Sequence, residues 1–203
     1  MSGITGIAKS RRAGIAIGAV LLAVSGTWLA SPAKSRSWLG PLAPVAAQVQ
    51  WVRADGAVHA GLSGEALRLM ESAIELDPSS TAGWIALGDH LGLYLASAES
   101  GASMEIRASW LQTALDLTLR GQDWVQHPEF LALYRGLLLV SHGDLEESLD
   151  WGGHTGVEAR IALFQEACIA FEEAGALGHP DGEEIAQYAL VMIEGLRDQN
   201  AVK

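Results

Sequence analysis

A helix that ends at a proline and is followed at once by a second helix constrains the fold of this chain more than any other feature. The pattern combines small and large apolar residues at helical spacing with one proline between the helices: Ala66, Met70, Ala73, Pro78, Trp84, Leu87 and Gly88. Proline cannot donate the backbone hydrogen bond of a helix interior, so Pro78 separates the two helices. A helix pair of this size cannot bury its own apolar face, and it becomes stable by stacking on further pairs. The sequence therefore predicts an all-α stack of short helical hairpins.

The same residues resemble the tetratricopeptide repeat, a helical hairpin of 34 residues. In that family a small, large, small trio precedes a closing proline, and an aromatic residue followed by Leu-Gly marks the next hairpin. The matching positions are Ala66, Met70 and Ala73 for the trio, Pro78 for the proline, and Trp84, Leu87 and Gly88 for the next hairpin. The resemblance implies a TPR-like α-solenoid that binds another protein, or an extended peptide, in a helical groove.

Two later segments echo the trio. Residues 114–117 repeat the pattern of residues 73–76, although Arg107 stands where the family has a small residue. A third trio is formed by Ala167, Phe171 and Ala174. Its partner helix would be residues 130–142, which requires an insertion near residues 143–156. Small residues at these positions allow two helices to approach closely, while the large ones fill the space between layers.

Apolar residues recur at helical spacing through seven segments, and no run alternates as a strand would. The predicted helices are 45–61, 63–76, 81–97, 104–119, 128–141, 157–174 and 181–197. In the last of them, Tyr188 and Ile193 are expected on the packed side and Glu184 on the solvent side. The sequence thus predicts an all-α domain over residues 45–203.

The amino-terminal region has the composition of a membrane anchor. Residues 13–30 carry no charge and follow the basic segment 1–12, which contains Lys9, Arg11 and Arg12. Eighteen residues without a charge are just long enough to cross a bilayer, so this segment is predicted to be a transmembrane or signal-anchor helix. The alternative is a cleaved signal peptide, since residues 31–33 and 45–47 are small enough for cleavage. Residues 31–44, rich in proline and serine, are the expected linker.

The charges that flank the apolar segment predict its orientation. More cations precede it than follow it, which favours a cytoplasmic amino terminus and a single-pass protein whose domain lies on the extracytoplasmic, periplasmic side. If the distribution of cations does not reflect the true orientation, the alternative is a membrane adaptor whose domain faces the cytoplasm. Gly14 and Gly18 form a small-xxx-small pair through which the protein could form a homodimer.

The predicted domain is strongly acidic. Residues 45–203 contain all 24 acidic residues and eight basic ones, a formal charge of −16. Nucleic acid is therefore disfavoured as a partner. The acid either keeps an outer face solvated or lines a groove that prefers a basic or neutral extended peptide.

Catalytic and metal-binding motifs are not found. The sequence has no phosphate-binding glycine loop, nucleophile elbow, paired-cysteine site or His-Glu-x-x-His motif. One cluster of possible ligands deserves a test: His142, Asp144, Glu146, Glu147, Asp150 and His154. It motivates the alternative of a metal-dependent envelope enzyme that uses residues 142–154. The lone Cys168 is predicted to be a small core residue.

Six tryptophans lie outside the apolar segment, and most are expected to pack between helices. Trp124 and Trp151 are the two considered for exposure at a binding surface. Together these observations predict a non-enzymatic, membrane-anchored scaffold of the bacterial envelope, with no catalytic residue, metal or cofactor.

Overall fold

The computed structural model describes residues 38–144 and 149–201. Segments 1–12 and 13–30, the start of the linker and residues 145–148 lie outside this range. The described part is all-α, as predicted, and its helices pack in sequence. Seven helices are α1 Ala43–His59, α2 Ser63–Leu76, α3 Thr81–Asp89, α4 Met104–Gln122, α5 Pro128–Gly143, α6 Gly156–Ala176 and α7 Gly182–Ala201. Over the same residues, no helix combines the length and apolar character needed to cross a membrane.

Helix α3 does not continue as an α-helix to residue 97, as the periodicity predicts. It passes into a π-helix at His90–Leu95, and a short 3-10 helix follows at Ala98–Ser100. A second 3-10 helix, Gly40–Leu42, leads into α1. The other predicted helices match the observed ones to within a few residues at each end, which is the usual variation at helix termini.

The described residues up to Asp77 form one compact unit, and the described residues from Pro78 onward form another. In the first unit, α1 and α2 are antiparallel neighbours. Ala46 and Ala47 near the start of α1 pack against Ala73 and Leu76 near the end of α2. Gly61 makes the turn between them with a φ of 72°, a conformation that favours glycine.

The second unit begins with a capped helix. The Ser80 hydroxyl accepts a hydrogen bond from the backbone amide of Gly83, which satisfies one free donor of the first turn of α3. The indole of Trp84 donates to the carbonyl oxygen of Pro78 at 2.8 Å. The proline junction is therefore fastened to the helix that follows it.

Contacts between the helices fix their directions. Gly121 of α4 lies against Trp84 of α3, and Arg107 of α4 reaches the carbonyl of Ala96, so α3 and α4 are antiparallel.

Helix α5 runs parallel to α3. Tyr134 packs on Gly88 and Leu138 packs on Gly92, so residue numbers rise together along the two helices. A Cβ atom at Gly88 would lie 2.7 Å from the Tyr134 ring, which explains the small residue there.

Helices α5, α6 and α7 form the other antiparallel pairs. Gly143 packs on Phe164 and Gly136 packs on Phe171, so α5 and α6 run in opposite directions. The thiol of Cys168 lies 3.6 Å from the carbonyl of Ala186 on α7 and is buried, as predicted for a core residue. Tyr188 of α7 differs from the prediction, because it is 53% exposed and not on the packed side.

Candidate protein-binding surface

The residues that carry the repeat resemblance are all buried. They are Ala66, Met70, Ala73, Pro78, Trp84, Leu87, Gly88, Ala167, Phe171 and Ala174. Burial suits the packing role that the pattern predicts. It also means that these side chains offer no surface to a partner, so a binding site must be built from other residues.

The two histidines considered for metal binding lie in unlike surroundings. His142 is 3% exposed, and its Nε2 atom donates a hydrogen bond to the carbonyl of Gly92 at 2.6 Å. His154 is exposed and closes a tight turn with Trp151, through backbone hydrogen bonds of 2.8 and 3.0 Å. Within residues 38–144 and 149–201, no three His, Cys, Asp or Glu side chains are arranged to hold a metal ion. Glu146 and Glu147 lie outside these residues.

The turn that contains His154 serves to bury a tryptophan. Gly152 and Gly153 both have positive φ, at 59° and 81°, as the two central residues of a type I′ turn require. Trp151 is 6% exposed, and its indole donates to Glu166 of α6 at 2.9 Å. Trp151 is thus a packing residue and not an exposed binding residue, whereas Trp124 is 55% exposed.

His142 and Arg107 together cap the carboxyl end of the α3 segment. The Nε atom of Arg107 donates to the carbonyl of Ala96 at 2.9 Å, and His142 donates to that of Gly92. The last carbonyls of a helix have no partner within the helix, and basic side chains often supply one. Arg107, which departs from the small residue of the repeat pattern, has this structural role.

The surroundings of His142 disfavour the charged form of its side chain. Burial lowers the pKa of His142, and the nearby positive charge of Arg107 lowers it further, against an opposing effect of the Gly92 carbonyl. The Nδ1 atom of His142 and the Nη2 atom of Arg107 are buried without a hydrogen-bond partner. The imidazole is therefore a neutral donor at Nε2, a state that a general acid or a metal ligand at Nε2 could not share.

A second polar network fixes α5 against α6. Arg135 forms an ion pair with Glu173, and Gln122 of α4 donates to the other carboxylate oxygen of Glu173 at 3.0 Å. The Arg135 side chain is 10% exposed. The guanidinium of Arg135 is therefore paired within the fold and largely shielded from solvent.

One surface of the second unit is apolar and partly exposed. It consists of exposed or half-buried apolar side chains of α3, of the π-helix that extends it and of α5, and we call it the α3–α5 face: Ile85, Leu93, Phe130, Leu133, Leu137 and Val140. Leu93, Phe130 and Leu137 are 44 to 46% exposed, while the adjacent Leu138 is 1% exposed. On α5 the spacing of three and four residues places the members of the face in one row.

Helix α4 covers one side of α3 and α5. Gly121 of α4 lies between Trp84 of α3 and Leu131 of α5, because a Cβ atom there would come within 2.8 Å of both side chains. With 3.6 residues per turn, the row of α5 that begins at Phe130 lies on the side of that helix away from Leu131. The hydroxyl of Tyr134 donates to Asp89 at 2.7 Å and links α5 to α3.

The charge of this face is negative. Asp89, the last residue of α3, is half-buried and stands between Ile85 and Leu93 in the chain. Burial, and after it the Asp89 carboxylate, raises the pKa of Tyr134. Helices α3 and α5 contain one lysine or arginine, Arg135, and its charge is paired with Glu173. A partner with basic groups among its apolar residues would match this surface.

The α3–α5 face is not evident from the sequence pattern, although the composition of α5 gives one indication of it. Helix α5 is apolar around most of its circumference, with leucine at positions 131, 133, 137, 138 and 139. A helix with neighbours on two sides cannot bury all of these residues. Which leucines remain exposed depends on where α3, α4 and α6 pack.

No protein-family model, no curated protein and no solved structure matches this chain.

Proposed function

We propose that this protein is a non-enzymatic, membrane-anchored scaffold that binds another protein, or an extended peptide, on the α3–α5 face. The observation that carries the proposal is the row of half-exposed apolar side chains on α3 and α5, which on α5 lies on the side away from α4. Removing apolar surface from water is favourable by about 25 cal/mol per Å². A protein partner can cover such a row, and the polar remainder of the unit stays solvated.

The helix arrangement supports the further proposal that this unit is a TPR-like repeat stack. Two successive helical hairpins of that kind place their first helices side by side and parallel, as α3 and α5 are. The contacts Gly88 to Tyr134 and Gly92 to Leu138 share a separation of 46 residues. This separation is longer than the 34-residue period of the family.

The charge of the surface favours a basic or neutral partner. Asp89 stands between Ile85 and Leu93 in the chain, and the one arginine of α3 and α5 is paired inside the fold. An acidic peptide would be repelled there, because like charges in contact disfavour association.

The place of the scaffold in the cell follows from the amino-terminal sequence. The uncharged segment 13–30 and the cations before it support a single-pass anchor with the domain on the periplasmic side. Such a scaffold would serve the assembly of an envelope complex. Gly14 and Gly18 would allow the anchor helices of two copies to associate.

Capture of the partner tests the proposal. The full chain carries an affinity tag, and proteins recovered from solubilised membranes are compared with those recovered by the Leu137→Asp variant. Ile169→Asp is the matched control, because Ile169 is an exposed apolar residue of α6 that is not in the face. We expect Leu137→Asp to weaken capture by about tenfold or more and the control to leave it unchanged. Equal capture by all three proteins would contradict the use of this face.

A further inference from the structure

Helix α1 and the residues just before it expose a second set of apolar side chains, in the first unit. We call it the outer row: Trp38, Leu42, Val45, Val49 and Val52. Trp38 is 87% exposed and Val52 is 74% exposed. Steps of three and four residues place Leu42, Val45, Val49 and Val52 on one side of α1 and the residue before it. Trp38 precedes Gly40, whose φ of 49° separates it from this helix.

The opposite side of α1 makes the contacts that hold this unit together. Its buried residues are Ala43, Ala46, Ala47, Gln50, Ala54 and Ala57. Ala46 and Ala47 pack on α2, and Val49 packs against the same core. The four other members of the outer row are between 45 and 87% exposed. Contiguous exposed apolar surface of this kind marks an interaction site.

The part of this segment that carries the outer row is uncharged. Residues 37–52 contain no charged side chain, and the first acidic residue of the protein is Asp55. The acidic character that repels anionic surfaces elsewhere is therefore absent from the outer row.

The position of the outer row in the chain places it near the proposed anchor. Trp38 follows the end of the apolar segment 13–30 by eight residues. Eight residues reach at most about 28 Å when fully extended. If segment 13–30 is embedded in a membrane, α1 begins close to the surface of that membrane.

We propose that the outer row lies in the interfacial layer of the membrane, so that α1 is an interfacial helix. The proposal rests on the membrane anchor of the proposed function. An interfacial helix inserts its apolar side by about 5–10 Å between headgroups and acyl chains. Tryptophan favours this layer because its ring is apolar and its N–H is polar.

A lipid surface accounts for the outer row better than a second copy of the chain does. The spacing of four and three residues also occurs in coiled coils, whose flanking positions commonly carry charges that set partner and orientation. Residues 37–52 have no such charges. The interface of a membrane requires none.

Fluorescence of single-cysteine variants tests the proposal in the full chain. Cys168→Ala removes the lone cysteine, and Val45→Cys, Val52→Cys or Glu71→Cys introduces one label with an environment-sensitive dye. Glu71 is the matched control, since it is exposed on α2 of the same unit. Each protein is reconstituted into phosphatidylcholine vesicles with or without nitroxide-labelled lipid, and circular dichroism verifies that it is helical.

We expect blue-shifted emission and strong quenching by nitroxide lipid at positions 45 and 52, and neither effect at position 71. Flotation with vesicles but equal, weak quenching at all three positions would overturn the interfacial helix while leaving the anchor intact. Disulfide cross-linking between copies at position 45 would overturn it in favour of a second copy. Failure to float would overturn the anchor together with this inference, whereas partner capture on the α3–α5 face is measured separately.

Discussion

The Nε2 atom of His142 on α5 donates a hydrogen bond to the carbonyl of Gly92, 50 residues earlier in the π-helix that extends α3. Since a carbonyl can only accept, the proton is on Nε2. Protonation of Nδ1 would place a second charge near Arg107 in a buried site. The contact therefore joins α5 to the π-helix that extends α3, in a buried site that disfavours the charged form of the imidazole.

Stability should fall as the pH falls below 7. Burial lowers the pKa of folded His142 below its ordinary value of 6.5, so the unfolded chain takes up its proton first. The free energy of unfolding then decreases as the pH falls from 6.5 to the pKa of folded His142, and it levels off below that pKa. The total decrease is about 1.4 kcal/mol for each unit by which the unfolded and folded pKa values differ. Urea unfolding between pH 7 and 5 measures this decline. His142→Gln keeps an N–H donor but does not titrate, so the variant should lose less stability as the pH falls. Burial also lowers the pKa of His90, which accounts for the pH dependence that remains. An undiminished decline in the variant would exclude His142 as its source.

Separate replacement of the two histidines distinguishes a structural role from a metal site. His142→Ala leaves the Gly92 carbonyl without its partner and should cost about 1–3 kcal/mol. His154→Ala changes an exposed side chain and should alter stability by less than about 0.5 kcal/mol. Metal analysis of the purified wild type should find no specific ion. A stoichiometric metal that both variants lose would establish the metal-dependent alternative.

The helix contact at Gly136 should be sensitive to a single methyl group. A Cβ atom there would overlap the ring of Phe171, which is fully buried, so Gly136→Ala should destabilise the protein by about 1–3 kcal/mol. Gly195→Ala is the matched control, because Gly195 is an exposed residue of α7 with nothing within 4 Å of the added carbon. That change should stabilise by about 0.5–1 kcal/mol through helix propensity. Thermal or urea unfolding of the two variants should shift in opposite directions, and a shared direction would contradict the packing of α5 on α6.

The amino-terminal segment should both export and anchor the protein. Its eighteen uncharged residues follow three cations, so alkaline phosphatase fused after Lys203 should be active and should sediment with membranes. Activity in the soluble fraction would indicate cleavage of the segment. A stable but inactive fusion would place the domain in the cytoplasm.

The sequence by itself determined the helices and much of the core. Proline, capping serine and apolar spacing act within a few residues, so helices such as Ser63–Leu76 and the buried positions Ala73, Trp84 and Phe171 could be predicted. The tertiary structure decided which apolar residues remain outside. Leu137 and Leu138 are adjacent leucines, yet one is half exposed and the other buried, because α3 and α4 cover one side of α5 and leave the next. It also decided that His142 is buried against Gly92, since a contact across 50 residues leaves no local signal in the chain. Interactions within a few residues determine where a helix forms, whereas the helices packed around it determine which of its side chains remain exposed.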